Sequence, residues 1–327
     1  MKLSFRNICS WLLAEMFLKL GVVSKAKNKI LNGEYILSIY FHKPTKEEFE
    51  YCVKWLLRNK LKVISVENLH DIITQNLPFP KGAAVLTIDD GWCSNENNVV
   101  EIAQKYKVPV TIFVASAPVE EGTYWWSYFL KAKEQNIKSP SLKAMKDAPE
   151  EVRLQELLKL RKHIHLRREA MAIDQLKRIS DSSYVTIGGH THTHPILTNC
   201  ENEQVIDELA VCKKKLESWL AKEVAYFAYP NGNYGLREMQ TLEHLKYKLA
   251  FCSDPKPLTP ACFTQRYMLP RFGFLEGASV AENICRMVGV WQPSMVKIKT
   301  YIRHLRININ SSKFQSRHIK LENEVAK

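Results

Sequence analysis

Apolar positions along this chain fall into two alternating rhythms. Short, nearly unbroken apolar runs occur at 36–41, 62–66, 83–88, 110–114, 184–188, 226–229 and 248–251. Runs of this length, rich in β-branched and aromatic residues, read as strands buried on both faces. Between them lie helical stripes. Phe49, Val53, Leu56 and Leu57 mark a helix over 46–59, with Thr45 as N-cap and Glu48 three residues on. Shorter helices are predicted over 66–73 and 97–106. The clearest stripe is 202–220, where Val205, Leu209, Cys212, Leu216 and Leu220 recur at three- and four-residue steps. Strands alternating with helices predict a parallel α/β architecture.

Residues 117–180 break the rhythm. They are charged and helix-prone, with Leu154, Leu157, Leu158 and Leu160 in one segment and Met171, Leu176 and Ile179 in another, and read as a helical insertion. Aromatic residues open it: Tyr124, Trp125, Trp126, Tyr128 and Phe129, all expected to pack its core. The rhythm stops near Leu275, and a weakly packed tail is expected after 296. The expected domains are an N-terminal extension (1–33), a main α/β domain (34–290) and a C-terminal tail (291–327).

Charge sharpens this division. The net charge is +13 over 327 residues. Residues 1–33 hold six Lys/Arg against one Glu, and 296–327 hold eight against two acids, so the ends carry eleven of the thirteen charges. Basic ends can meet phosphates of lipid, nucleic acid or a nucleotide-linked substrate. No nucleic-acid-binding motif accompanies them, so a nucleic-acid partner is not expected. The stretch 8–23 is apolar but interrupted by Glu15 and Lys19, too short and too charged to span a bilayer. It reads as a helix lying in a membrane interface or packed on the domain. The eight cysteines form no CxxC pair and read as reduced thiols, which places the chain in the cytoplasm, with peripheral contact at the inner membrane face.

Two motifs carry chemistry. The run Val85 to Trp92, VLTIDDGW, ends a strand on two adjacent acids. Asp-Gly alone is ordinary turn chemistry. The run Gly188 to Pro195, GGHTHTHP, also follows a strand directly, and its His190 and His194 are four apart, a spacing that suits one metal ion. In parallel α/β folds the C-terminal strand ends converge on one face, which brings the two motifs together. One carboxylate and two imidazoles leave coordination positions open for water and substrate.

The order TIDDG … GGHTHTHP … FAYPNG … LPR resembles the polysaccharide deacetylase family of carbohydrate esterases over roughly residues 34–275. The resemblance implies a distorted, incomplete (β/α) barrel. It also implies a hydrolase that removes N-acetyl groups from an amino-sugar glycan or its precursor with a divalent metal, zinc, here in building cell-envelope polysaccharide. By it, Asp89 is the general base, and Asp90, His190 and His194 are the metal ligands. Asn231, in Pro230-Asn231-Gly232, gives its backbone amide to the oxyanion. The family's third-motif arginine is replaced by Ala228, and Arg271 stands in for it. The family's late histidine has no match, leaving His42 and His192 as proton donors. Trp92, His42 and Tyr229 are the expected substrate contacts. The alternative is a catalytically inert carbohydrate-binding protein on the same scaffold.

Overall fold

A computed structural model describes residues 5–296. Among these described residues, to which the element counts refer, eight strands form one sheet: β1 (Leu37–Phe41), β2 (Lys62–Val63), β3 (Ala83–Ile88), β4 (Val110–Val114), β5 (Val185–Gly189), β6 (Tyr226–Ala228), β7 (Leu249–Phe251) and β8 (Phe272–Gly273). The order is β7-β6-β5-β4-β3-β1-β8, with β2 beside the start of β3, and every pairing is parallel. Thirteen α-helices accompany it: α1 (Phe5–Lys19), α2 (Val22–Leu31), α3 (Lys46–Arg58), α4 (Val66–Thr74), α5 (Glu101–Tyr106), α6 (Ser116–Glu121), α7 (Trp125–Glu134), α8 (Leu142–Asp147), α9 (Glu150–Arg161), α10 (Ile173–Ser180), α11 (Asn202–Leu220), α12 (Leu236–His244) and α13 (Val280–Met287). The capping box expected at Thr45 and Glu48 is present at the start of α3.

The sheet curls into a partial barrel. Its two ends meet through the stretch before β8, where Leu269 pairs with Phe251 at the β7 edge before β8 pairs with β1. Strand periodicity sorts residues between the two faces. On β3, Ala83 and Val85 face inward with Phe113, Phe251 and Leu269. Ala84, Leu86 and Ile88 face outward onto the helices, with Phe49, Val53, Leu209 and Leu216. The same parity carries Thr87 and Asp89 to the inside.

Residues of the N-terminal stretch pack on the domain, one of the two readings of 8–23: Ala14, Val23 and Ile30 are buried in the main core. Two expectations change. Regular structure runs past Leu275: α13 packs against α1, and Trp291 is buried and meets Phe17 edge-on at 6.4 Å. The tail expected at 291–327 therefore does not begin at 291, and beyond 296 it lies outside the described residues. Finally, the helix read over 97–106 opens as a π-helical turn, Glu96–Val100, that runs into α5.

The two glycines before His190 have a packing reason. A Cβ on Gly188 would lie 2.4 Å from the Phe113 ring and 2.8 Å from the Tyr226 carbonyl oxygen. One on Gly189 would lie 2.8 Å from the Tyr247 hydroxyl. Gly188→Ala should therefore cost on the order of 2 kcal/mol of stability by overpacking. Urea unfolding checks this, with an unchanged midpoint as the contrary result.

Candidate metal centre and active site

The motifs meet where β3, β5 and β6 end. Asp90 Oδ1 lies 3.4 Å from His190 Nε2 and 3.2 Å from His194 Nε2. All three ligand atoms lie within 4.8 Å of one another. Tetrahedral zinc with ligand bonds of about 2.0–2.1 Å separates neighbouring ligand atoms by about 3.3 Å. The spacing fits an ion.

The protonation pattern fits one too. His190 Nδ1 lies 2.7 Å from the Ala228 carbonyl oxygen, so Nδ1 is the donor. A ring that carries its proton on Nδ1 leaves Nε2 to ligate a cation. Burial pushes His194 down to about 4 despite the opposing pull of Asp90, so its imidazole is neutral near pH 7. Burial alone would raise the Asp90 carboxyl, but its contacts with His190 and His194 outweigh that and hold it well below the usual range. Trp92 Nε1 donates to Asp90 Oδ2 at 2.9 Å, which orients the carboxylate.

Backbone conformation tells the same story. Ten non-glycine residues among those described have positive φ. Six of them (Lys60, Asn76, Lys107, Asn136, Ala221 and Lys246) sit at or just beyond helix C-termini, where left-handed backbone is common. The other four are Asp90, Thr191, His194 and Asn231, all in the motif loops. Such residues cost about 1–3 kcal/mol each and persist only where surrounding contacts fix them. Those contacts are present. His190 N–H donates to the Val114 carbonyl, and Ser116 and Ala117 N–H donate to the Thr191 and His192 carbonyls. Thr193 is held by Glu208 on α11 through both its N–H and its hydroxyl, each at 2.7 Å. Trp125 Nε1 donates to the His194 carbonyl at 2.9 Å, and the Trp126 ring packs on the His194 ring at 4.6 Å.

Asp89 goes elsewhere. Its two oxygens each accept a 2.8 Å bond from Arg271, Oδ1 from Nη1 and Oδ2 from Nη2. Arg271 is fully buried, donates also to Thr87 Oγ1 and the Cys252 carbonyl, and packs over the Tyr40 ring at 4.6 Å. A bidentate guanidinium of this kind fixes a carboxylate in orientation.

A cavity of about 540 Å³ opens over the two acids. Asp89, Asp90, His190, His194, Trp92, His42 and Asn231 all line it, and Arg271 stands behind Asp89. Two expected residues do not line it. Tyr229 is buried in the core, and its hydroxyl donates to the Tyr267 carbonyl. It shares the parity of Phe227, on the helix-facing side of β6, so the expected substrate contact is corrected. His192 turns away to the Ser116 hydroxyl, 2.8 Å from its Nδ1, which removes it as a proton donor. Conversely, Trp125 and Trp126, expected to pack the core of the insertion, also form the cavity wall, with Leu142 and Lys146 from α8. The insertion folds over the site, and no local pattern in the sequence carries that information.

Comparison with known proteins agrees with this geometry. The polysaccharide deacetylase family model matches residues 76–250, more than half the chain. This protein belongs to the polysaccharide deacetylase family. YxkH of Bacillus subtilis (strain 168), whose description places it among polysaccharide deacetylases, is 21% identical over 210 residues. That match covers 64% of this chain, which spans only 58% of the relative's length. Among solved structures, the Streptococcus pyogenes deacetylase PplD superposes with a TM-score of 0.58 at 17% identity, covering 78% of this chain and 98% of that one. IcaB from Ammonifex degensii gives 0.56 at 15% identity, covering 79% and 97%. At these identities the likeness is one of fold.

The site should bind one divalent cation per chain. Asp90→Ala should abolish binding, and Trp125→Phe should weaken it about tenfold by releasing the His194 loop. Titration calorimetry with Zn²⁺ reads both. Unchanged affinity in Asp90→Ala would overturn the ligand assignment.

Proposed function

We propose that this protein is a metal-dependent N-deacetylase acting on an N-acetylated amino-sugar glycan, or its precursor, in cell-envelope polysaccharide synthesis. One observation carries the reading. Adjacent aspartates have different partners: Asp90 faces two imidazoles, while Asp89 is clamped by Arg271 beside them. Family membership supports it, as does the shared fold of PplD, a deacetylase solved in complex with acetate.

A divalent ion held by Asp90, His190 and His194, zinc in our reading, would polarise the acetamide carbonyl and acidify a water. Each Asp89 oxygen keeps a lone pair not used by Arg271, so the carboxylate can accept the water's proton. Arg271 keeps that carboxylate aimed. Asn231, in left-handed backbone on the cavity wall, would give its backbone N–H to the developing oxyanion. His42 is the remaining histidine on the wall and supplies the proton to the departing amine. The C–N bond breaks, acetate leaves, and a free amino sugar remains. Trp92, Trp125 and Trp126 offer ring faces to the sugar.

Acetate release from a panel of defined N-acetylated sugars and oligosaccharides tests the reading directly. Release from none of them by the metal-loaded protein would favour the inert carbohydrate-binding alternative. With a working substrate, Asp89→Asn should lower kcat by about 10²- to 10⁴-fold while metal occupancy stays at the wild-type level. A variant that loses metal instead would mean that Asp89 is a ligand. His42→Ala should likewise retain metal and lower kcat by about 10²-fold or more, with a wild-type rate removing it as the acid.

A further inference from the structure

Helix α1 is apolar on two opposite sides, and the fold covers only one. Ala14 is buried and Leu13, Phe17 and Leu18 pack inward with it, against α13 and Trp291. The other side carries Phe5, Ile8, Leu12 and Met16 at steps of three and four, joined by Trp11, Leu20 and Val22. These are solvent-exposed, Phe5 at 83%, Leu20 at 69% and Leu12 at 56%. Seven of the sixteen large apolar side chains exposed among the described residues thus fall within eighteen consecutive positions. A contiguous exposed apolar patch on a folded chain marks a binding surface.

Charge decides what it binds. Residues 5–31 hold Arg6, Lys19, Lys25, Lys27 and Lys29 against the single acid Glu15. Glu15 accepts a 3.1 Å bond from Trp11 Nε1, and among the described residues neither Lys19 nor Lys25 has a carboxylate within 4 Å. Two copies of this face brought together would appose like charges, which argues against self-association. An anionic lipid surface satisfies both features, since it takes the apolar stripe into the headgroup boundary and pairs the lysines with phosphate. Trp11, with an apolar body and a satisfied N–H, suits that depth.

We infer that α1 and α2 dock this protein onto an anionic bilayer surface, with the Phe5-Ile8-Leu12-Met16 stripe inserted. The helices lie on the membrane and do not cross it. No single helix among the described residues is long and apolar enough to span; α1 and α2 together would be by length and composition, but they are bent by 61° at the break between them. The inner side of α1 stays on α13 throughout. This surface is separate from the catalytic cavity, and the inference stands whether or not the proposed reaction is correct.

Flotation of the full chain with phosphatidylcholine vesicles, with and without phosphatidylglycerol, is the test. The wild type should float with the anionic vesicles, and less so as salt rises. The double variant Leu12→Glu/Met16→Glu changes only exposed positions and should keep the wild-type thermal melt. It should bind anionic vesicles at least about tenfold more weakly. Three results would overturn the inference: no flotation of the wild type, undiminished flotation of the variant (binding through basic residues alone), or a wild-type dimer that the variant dissolves without any vesicle binding.

Discussion

Three ligand atoms face one another inside this protein: Asp90 Oδ1 and the Nε2 atoms of His190 and His194. A carboxylate oxygen 3.2–3.4 Å from two ring nitrogens needs positive charge between them, a proton on the rings or one shared cation. The surrounding structure is organised to keep the three in place. The four non-terminal left-handed residues, the Glu208–Thr193 bonds and the Trp125 bond to the His194 carbonyl all fix loops that would otherwise relax and separate the ligands. Strained loops around a site and a rigid scaffold behind it are parts of one design.

The adjacent acids also acquire a physical account. Strand parity points Asp89 into the curl of the sheet, where Arg271 waits. The left-handed turn at Asp90, φ +78°, sends the next carboxylate to the histidines instead. Two acids on neighbouring residues are tolerable because each faces its own partner, the Arg271 guanidinium for Asp89 and the two imidazoles for Asp90, where the proposed cation would sit. The guanidinium comes from the stretch that bridges the two ends of the sheet. Closure of the curl and orientation of the carboxylate therefore depend on the same few residues, Leu269 to Phe272.

Much of this was legible in the sequence because buried parallel strands are written as apolar runs, and β3, β4 and α11 stand at their expected limits. What escaped did so for physical reasons. β8 has two residues, too few to show a period. α13 buries Glu282 and Asn283, and Asn283 bonds the Leu275 backbone in both directions, so its apolar stripe is interrupted. Tyr229 was misassigned because a strand-end aromatic beside a motif loop can face either side, and only its parity with Phe227 decides. Trp125 and Trp126 reach the cavity through a tertiary fold-back that no local pattern encodes. Arg271 illustrates the converse, since a short Leu-Pro-Arg match located a side chain whose bidentate geometry only the fold reveals.

The chain thus combines a rigid curled sheet that aims its chemistry, an insertion that roofs the cavity, and an N-terminal helix pair with an uncovered apolar side. The central claim is that the two histidines and one aspartate share an ion. X-ray absorption at the zinc edge on the metal-loaded protein tests it most directly. The account predicts a first shell of nitrogen and oxygen at about 2.0–2.1 Å with the outer-shell scattering of two imidazoles and no sulfur. A sulfur ligand, or a shell without imidazole scattering, would contradict it.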